Sequence, residues 1–368
     1  MPAALSYHLA AKLLNSQQIL RWLGRHIPVI LVLQWLVLAV YVFGFNDGSP
    51  VSSTATFFML AMFSLVHMAK EFSLAWLQGQ QRLLNYNRAL ARESAWLLGL
   101  LILFSLVPLL PMYASIFVAI LLAPVLGFFG IFREITTQNL NTLALNSSDL
   151  SSMGRYTRRT YPGVLLAFAN NRWSIFFISA YFSMEALGIF SIALMLTEKI
   201  MTFARSAALS VFPRVSGDNN RSERYTPAVS SIVFWATALA CALLALLADR
   251  LVPLLYGEAF KEAATFIYIL ALAIPFFAVN RILAQTIAGR GRPELNSITT
   301  SLSLAVNIAV CFCFHESLGL QAVALAYAAA MLANLLAKLV IYRYMLRQPV
   351  LTLFIPNPAF IKAYLKQP

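Results

Sequence analysis

The chain has 368 residues, 27 Lys and Arg against 14 Asp and Glu, and a formal net charge of +13; 60% of its residues are hydrophobic and only 11% are charged. A soluble domain carries about 25% charged residues, so this chain has too few to coat a water-facing surface, and a soluble globular protein is excluded. Disorder, which needs low hydrophobicity, is excluded by the same numbers, and Cys241, Cys311 and Cys313, all in apolar runs, make no disulfide framework.

What remains is an all-α polytopic membrane protein. A hydrocarbon layer about 30 Å thick takes about 20 apolar residues per helix. Taken in chain order, ten runs qualify: 28–47, 54–79, 93–110, 113–132, 162–182, 186–212, 227–248, 263–287, 295–314 and 319–342. None shows the ten-residue alternation of a membrane barrel. The segment 1–27 precedes the first run, which is too long for a cleavable signal and has no clean cleavage site after it. A four-helix part, 28–133, is followed by a polar linker, 134–161, and a six-helix part, 162–345. The tail, 346–368, ends in an amphipathic stub with Lys362 and Lys366, expected on the membrane surface.

Loop charges orient the chain. Nineteen basic residues fall on one side, from Lys12, Arg21 and Arg25 through Arg155, Arg158 and Arg159 to Arg343 and Arg347; only Arg250 and Lys261 fall on the other. The positive-inside rule then puts both termini in the cytoplasm, and it explains the basic excess without nucleic acid. On that side the sequon Asn146-Ser147-Ser148 has no use.

Soluble-enzyme chemistry is absent from the sequence, and no enzyme activity or cofactor is expected. His8, His26, His67 and His315 have no metal spacing. Gly289-Arg290-Gly291-Arg292-Pro293 lacks the later glycine, Lys and Ser or Thr of a phosphate loop, and reads as a helix stop.

Ionisable residues inside the spans cost roughly 2.5–3.5 kcal/mol each at the bilayer centre on insertion scales, so they are functional candidates. They are Lys70, Glu71, Arg172, Glu198, Lys199, Arg205 and Arg281. Arg205 lies two turns after Glu198, on the same helix face. The surplus of cations suits an anionic head group, since a guanidinium fork matches phosphate. Arg172 and Arg205 lead as substrate contacts, with Lys199, Arg281 and Lys70 behind them. Other readings stay open: Lys70 as a local pair with Glu71, Glu198 as the neutraliser of Arg172 or Arg205, and Arg281 snorkelling. Lys338 is near enough to its helix end to snorkel.

Several segments resemble one transporter family. They are Gly188-Ile189-Phe190-Ser191-Ile192-Ala193 followed by Glu198, Val211-Phe212-Pro213-Arg214-Val215-Ser216, and Leu255-Tyr256-Gly257-Glu258-Ala259-Phe260. Asn307 and the stretch from Gly319 to Ala330 also fit, and Gln78-Gly79-Gln80 fits more loosely. The chain thus resembles the oligosaccharide flippases of O-antigen and teichoic-acid export, within the superfamily that includes multidrug and toxin extruders.

The resemblance implies a MATE-like fold of two six-helix bundles, here without the first two helices. It implies a bacterial inner-membrane protein that moves a polyprenyl-diphosphate-linked oligosaccharide between leaflets by alternating access, with the polysaccharide polymerase and ligase as further partners. Arg172, Glu198 and Arg205 fall on helices that would line the shared cavity, with Glu198 as a coupling or ion-pair residue. The alternatives are a non-transporting component of polysaccharide assembly and a cation-coupled multidrug exporter of the same fold.

Overall fold

The computed structural model describes residues 2–14, 16–45, 53–107, 111–136, 147–216 and 219–356. The stub holding Lys362 and Lys366, most of the polar segment before Ser147 and the sequon's Asn146 lie outside them. The chain divides into two compact units, Met1–Gly154 and Arg155–Pro368.

The first unit contains α1 (Pro2–Ala10), α2 (Ser16–Phe45), α3 (Ser53–Gly79), α4 (Leu83–Leu106), α5 (Met112–Thr136) and the start of α6 (Ser147–Tyr181). Helix α2 is apolar nearly all round and leaves Val32, Leu36, Val37 and Val40 exposed, as suits a helix whose surroundings are lipid. Short α1 packs on the end of α3. Gly79 permits this, because a Cβ there would meet Leu9 Cβ at 2.7 Å. The cluster formed contains Leu5, Ile19, Trp22, Trp76 and Met153. Helix α3 stops in a paired arrangement: Arg82 N–H reaches the Leu77 carbonyl at 2.9 Å and Gln81 N–H that of Gln78 at 3.0 Å. Gln81 adopts φ 60° to make it, a conformation usually left to Gly at this position.

The second unit holds the rest of α6, then α7 (Met184–Leu209), α8 (Val211–Val215), α9 (Asn219–Tyr256), α10 (Ala263–Gly289), α11 (Glu294–Leu318) and α12 (Gln321–Leu346). Ser183 caps α7, accepting from the Ala186 N–H at 3.1 Å. Helix α7 ends at Leu209 because Pro213 has no N–H to give that carbonyl and its ring would clash with it. Helix α10 is apolar on all faces up to Asn280 and forms the centre, packed by α7, α9 and α12. Its end is the helix stop expected from the glycines. Arg292 N–H bonds to the Ile287 carbonyl, Gly291 N–H to that of Ala288, and Gly291 takes φ 77°.

Among the described residues, nine helices are long and apolar enough to cross a membrane, against ten expected. The difference is the run at 162–182. It is helical, but Asn170, Asn171 and Arg172 interrupt its apolar character. Asn170 faces inward, joined to α11: its Nδ2 donates to Ser303 Oγ at 3.3 Å, and it accepts from Asn307 Nδ2 at 3.2 Å. The polar segment expected as a linker at 134–161 is helical from Ser147 onward.

Candidate functional site

Five of the seven ionisable residues singled out from the sequence lie in the second unit, and the structure separates them into two groups. Arg172 on α6 and Lys199 on α7 are exposed. Glu198 and Arg205 on α7 are half-buried and share a neighbour: the buried Tyr327 of α12 lies within electrostatic reach of both charges. Among the described residues no ion pair joins Glu198 to Arg172 or Arg205.

The second group is built around one aromatic ring. Phe277 lies on α10, one turn before Arg281. The guanidinium carbon of Arg205 stands 5.6 Å from the Phe277 ring centroid, and that of Arg281 stands 6.0 Å from it. Helices α7 and α10 are packed together here, so the two guanidiniums meet at one ring, and Arg281 lies within the field of Arg205. The Arg281 Nε is buried and has no hydrogen-bond acceptor.

Lys338 completes the group. It is 3% exposed, and its Nζ donates to Asn280 Oδ1 and Asn334 Oδ1, each at 2.6 Å. It lies within the field of Arg281. The expectation that Lys338 snorkels is therefore corrected: its stem runs into the α10–α12 contact and its ammonium is held there by two amide oxygens. Arg281 does not snorkel freely either, since its Nε is buried beside Phe277. Sequence reasoning missed Asn280 and Asn334. The available signal was the Asn334–Lys338 spacing of one turn in an otherwise apolar run.

In the first unit, Lys70 does not pair with Glu71. Its Nζ stands 2.6 Å from Glu93 Oε1 of α4, while Glu71 lies 3.8 Å from His67 on its own helix. The side chains of residues one apart diverge by about 100° around a helix and so do not face each other.

Two guanidiniums and an ammonium thus stand inside the spans of the second unit. Cation–π contact returns about 0.5–2 kcal/mol, less than the roughly 2.5–3.5 kcal/mol that each charge costs near the bilayer centre. The group is electropositive and chemically complementary to an anion that can take two guanidinium forks. Among the described residues no cluster of His, Cys, Asp or Glu is arranged to hold a metal.

The family described as polysaccharide biosynthesis protein matches residues 55–265. The chain belongs to that family. The match takes in α3 to α5, where the motif resemblance was loosest, and Arg205; Phe277, Arg281 and Lys338 lie beyond it. No curated protein matches this member. Its fold is similar to that of the Vibrio cholerae MATE transporter VcmN in the bent form, with a TM-score of 0.70, 14% identity, and coverage of 96% of this chain and 84% of that one. A multidrug resistance MATE family transporter of the MOP superfamily, in an outward-facing conformation, gives 0.70 and 13%, with 94% and 82% covered. The lipid II flippase MurJ, in an inward closed conformation, gives 0.59 and 12%, with 99% and 80% covered. At these identities the likeness is one of fold. Family and fold together make this chain a multi-pass membrane protein of a transporter architecture, with α-helices as its spanning elements.

Proposed function

We propose that this member of the polysaccharide biosynthesis family is a flippase for a polyprenyl-diphosphate-linked oligosaccharide. It carries an O-antigen, capsule or related repeat unit across the bacterial inner membrane by alternating access. Both termini then lie in the cytoplasm, on the basic side, and the product is passed to the polysaccharide polymerase and ligase.

The observation that carries this reading is the meeting of Arg205 and Arg281 at Phe277, with no ion pair to a carboxylate among the described residues. A diphosphate offers acceptor oxygens enough for two guanidinium forks. The glycan and the prenyl tail need no charged partner, which agrees with the low charge content of the rest of the chain. A cation-coupled multidrug exporter is the second reading, favoured by the higher TM-scores of the MATE folds. It calls for an acidic site, and the group at Phe277 is basic.

Complementation tests the proposal. The full chain is placed in bacteria lacking their own O-antigen flippase, using hosts with different repeat units, and surface polymer is measured. Polymer is expected from the wild type in at least one host. It is expected to be lost with Arg205→Ala or Arg281→Ala at equal membrane protein level. Full polymer from both variants would overturn the assigned site. Drug resistance without polymer in any host would select the exporter reading.

A further inference from the structure

Helix α6 carries four arginines, Arg155, Arg158, Arg159 and Arg172, and every one is exposed. Among the described residues no carboxylate pairs with any of them. The first three lie together before Pro162, at the end that the proposed topology places at the cytoplasmic surface. A basic cluster there is ordinary, since it meets anionic headgroups. Arg172 is different. It comes fourteen residues after Arg158, about 21 Å further along the helix axis, near the middle of the run 162–182. A guanidinium facing hydrocarbon at that depth costs roughly 2.5–3.5 kcal/mol.

Two contacts fix which way α6 faces on either side of Pro162. Tyr156 is buried, and its hydroxyl donates to the Ala288 carbonyl of α10 at 3.0 Å. Asn170 accepts from Asn307 Nδ2 of α11 at 3.2 Å. Arg158 comes two residues after Tyr156, and Arg172 comes two residues after Asn170. Two residues turn about 200° around a helix, so both arginines point away from α10 and α11, on one outward face. Arg155 and Arg159 flank Arg158, about 60° and 100° from it. The same face exposes Leu165, midway between Arg158 and Arg172, and Phe168 beside it. Guanidinium, apolar side chains and a second guanidinium thus follow one another inward from the basic end. A layer of phospholipid headgroups has no use for the inner one. An amphiphile with an anionic head and a hydrocarbon tail, moving inward along α6, can use all of them.

We propose that this outward face of α6 is the loading site for the lipid-linked substrate. Arg158, with Arg155 and Arg159, takes the diphosphate at the cytoplasmic leaflet through guanidinium forks. Leu165 and Phe168 meet the prenyl chain, and Arg172 is the next cation that the diphosphate reaches. The face uses none of the group at Phe277. It deepens the flippase reading above and rests on it for the substrate.

The test uses the full-length protein in nanodiscs of neutral phosphatidylcholine and farnesyl diphosphate as probe, with melting temperature measured in parallel. Arg205→Ala with Arg281→Ala removes the contribution of the group at Phe277. In that background binding is expected to persist. It is expected to weaken at least about tenfold when Arg155→Gln, Arg158→Gln and Arg159→Gln are combined, and to weaken with Arg172→Gln. The four side chains are exposed, so these changes should leave the melting temperature within a degree or two of its starting value. In the otherwise wild-type chain the three combined changes are expected to slow association of the probe at low salt by about tenfold or more.

The outcomes separate the two readings. Unchanged affinity and unchanged association rate in the combined Gln variant would overturn the loading face and leave the site at Phe277 standing. So would loss of all binding with Arg205→Ala and Arg281→Ala in a protein that still melts like the wild type. Binding abolished when phosphatidylglycerol replaces part of the neutral lipid would mark a general anionic-lipid surface, and would overturn the loading face too. A chain that binds the probe as expected, yet gives no surface polymer in any host, would support the face as a diphosphate-lipid site and sink the flippase reading alone.

Discussion

Lys70 of α3 and Glu93 of α4 form an ion pair 2.6 Å long, and each side chain is 16% exposed. It bridges two helices of the first unit. Removing one partner of a buried pair leaves a bare charge, at a cost of roughly 3–5 kcal/mol when burial is complete. Partial exposure places this pair toward the lower end. Glu93→Ala is therefore expected to lower the stability of the first unit by about 3 kcal/mol. The swap Lys70→Glu with Glu93→Lys should recover most of it. Thermal unfolding of the purified protein followed by tryptophan fluorescence checks this; equal melting temperatures for Glu93→Ala and wild type would refute it.

Glu93 also lies where α5 packs tightly against α4. A Cβ on Gly127 would stand 2.9 Å from both the Cα and the N of Glu93. Backbone atoms cannot yield as a flexible side chain can, so one helix must shift. Gly127→Ala is expected to destabilise by about 1–3 kcal/mol, the usual range for overpacking, and Gly127→Leu by more. The neighbouring Gly130 has nothing within 4 Å of its Cβ position, and Gly130→Ala should be neutral or mildly stabilising. A Gly127→Ala protein as stable as Gly130→Ala would mean that α4 and α5 slide freely.

The helices were legible in the sequence because lipid leaves the backbone no other partner, so hydrophobic run length alone located α2 to α5, α7 and α9 to α12. The run at 162–182 was read as a span on length, yet its helix carries Asn170, Asn171 and Arg172 in sequence. Only the structure shows that Asn170 turns inward to Asn307 while Arg172 turns outward. The stop at Gly289 to Pro293 was legible because positive φ at a helix end favours glycine. The cationic group was half legible. Depth along the chain identified Arg205 and Arg281 as costly charges. That they meet at Phe277 depends on how α7 is rotated against α10, and periodicity does not fix that. Lys338 was misread because its distance from the helix end gives its reach to water, not whether amides hold it back. The partner of Lys70 was not legible: adjacency offers Glu71, where helical geometry directs Lys70 to Glu93 on another helix.

His8 lies outside the spans and gives α1 a pH dependence. It is buried, with Nδ1 2.8 Å from the Ala4 carbonyl and Nε2 3.2 Å from Ser152 Oγ. Burial holds its pKa below the ordinary 6.5, against a smaller opposing effect of the Ala4 bond. A base whose pKa is depressed on docking favours the neutral form there. Its stability is therefore fully present above the undocked pKa and is lost as pH falls through the docked one. Helix α1 is expected to stay docked at pH 8 and to loosen on acidification below about pH 6.5. A nitroxide at Lys12 should gain mobility over that range, and His8→Gln should abolish the response. A titration as steep in His8→Gln as in wild type would show that another group drives it.

Polar groups join α6 to α11 beside an aromatic cluster of Trp173, Phe177 and Tyr181 with Phe312, and the polar part sets an unusual order of mutant stabilities. Asn307 is fully buried and donates to Asn170 Oδ1, while Asn170 donates to Ser303 Oγ. Ser303 in turn donates to the Ala330 carbonyl on α12 at 2.8 Å. Hydrogen bonds between membrane helices are worth about 0.6 kcal/mol on average, so the bonds alone contribute little. An amide left without a partner in a dry interior costs more, roughly 1–3 kcal/mol. Asn307→Leu strands the Asn170 oxygen, and Asn170→Leu leaves the Asn307 amide only its longer, 3.5 Å bond to the backbone carbonyl at position 170. Each single variant is therefore expected to be less stable than wild type by about 1–3 kcal/mol. The double variant, with neither amide left, should be no worse than either single one. Chemical unfolding of all four proteins in one detergent measures the coupling. Additive losses would mean that each Asn acts through its own surroundings and that the Asn170–Asn307 bond does not hold α6 in register.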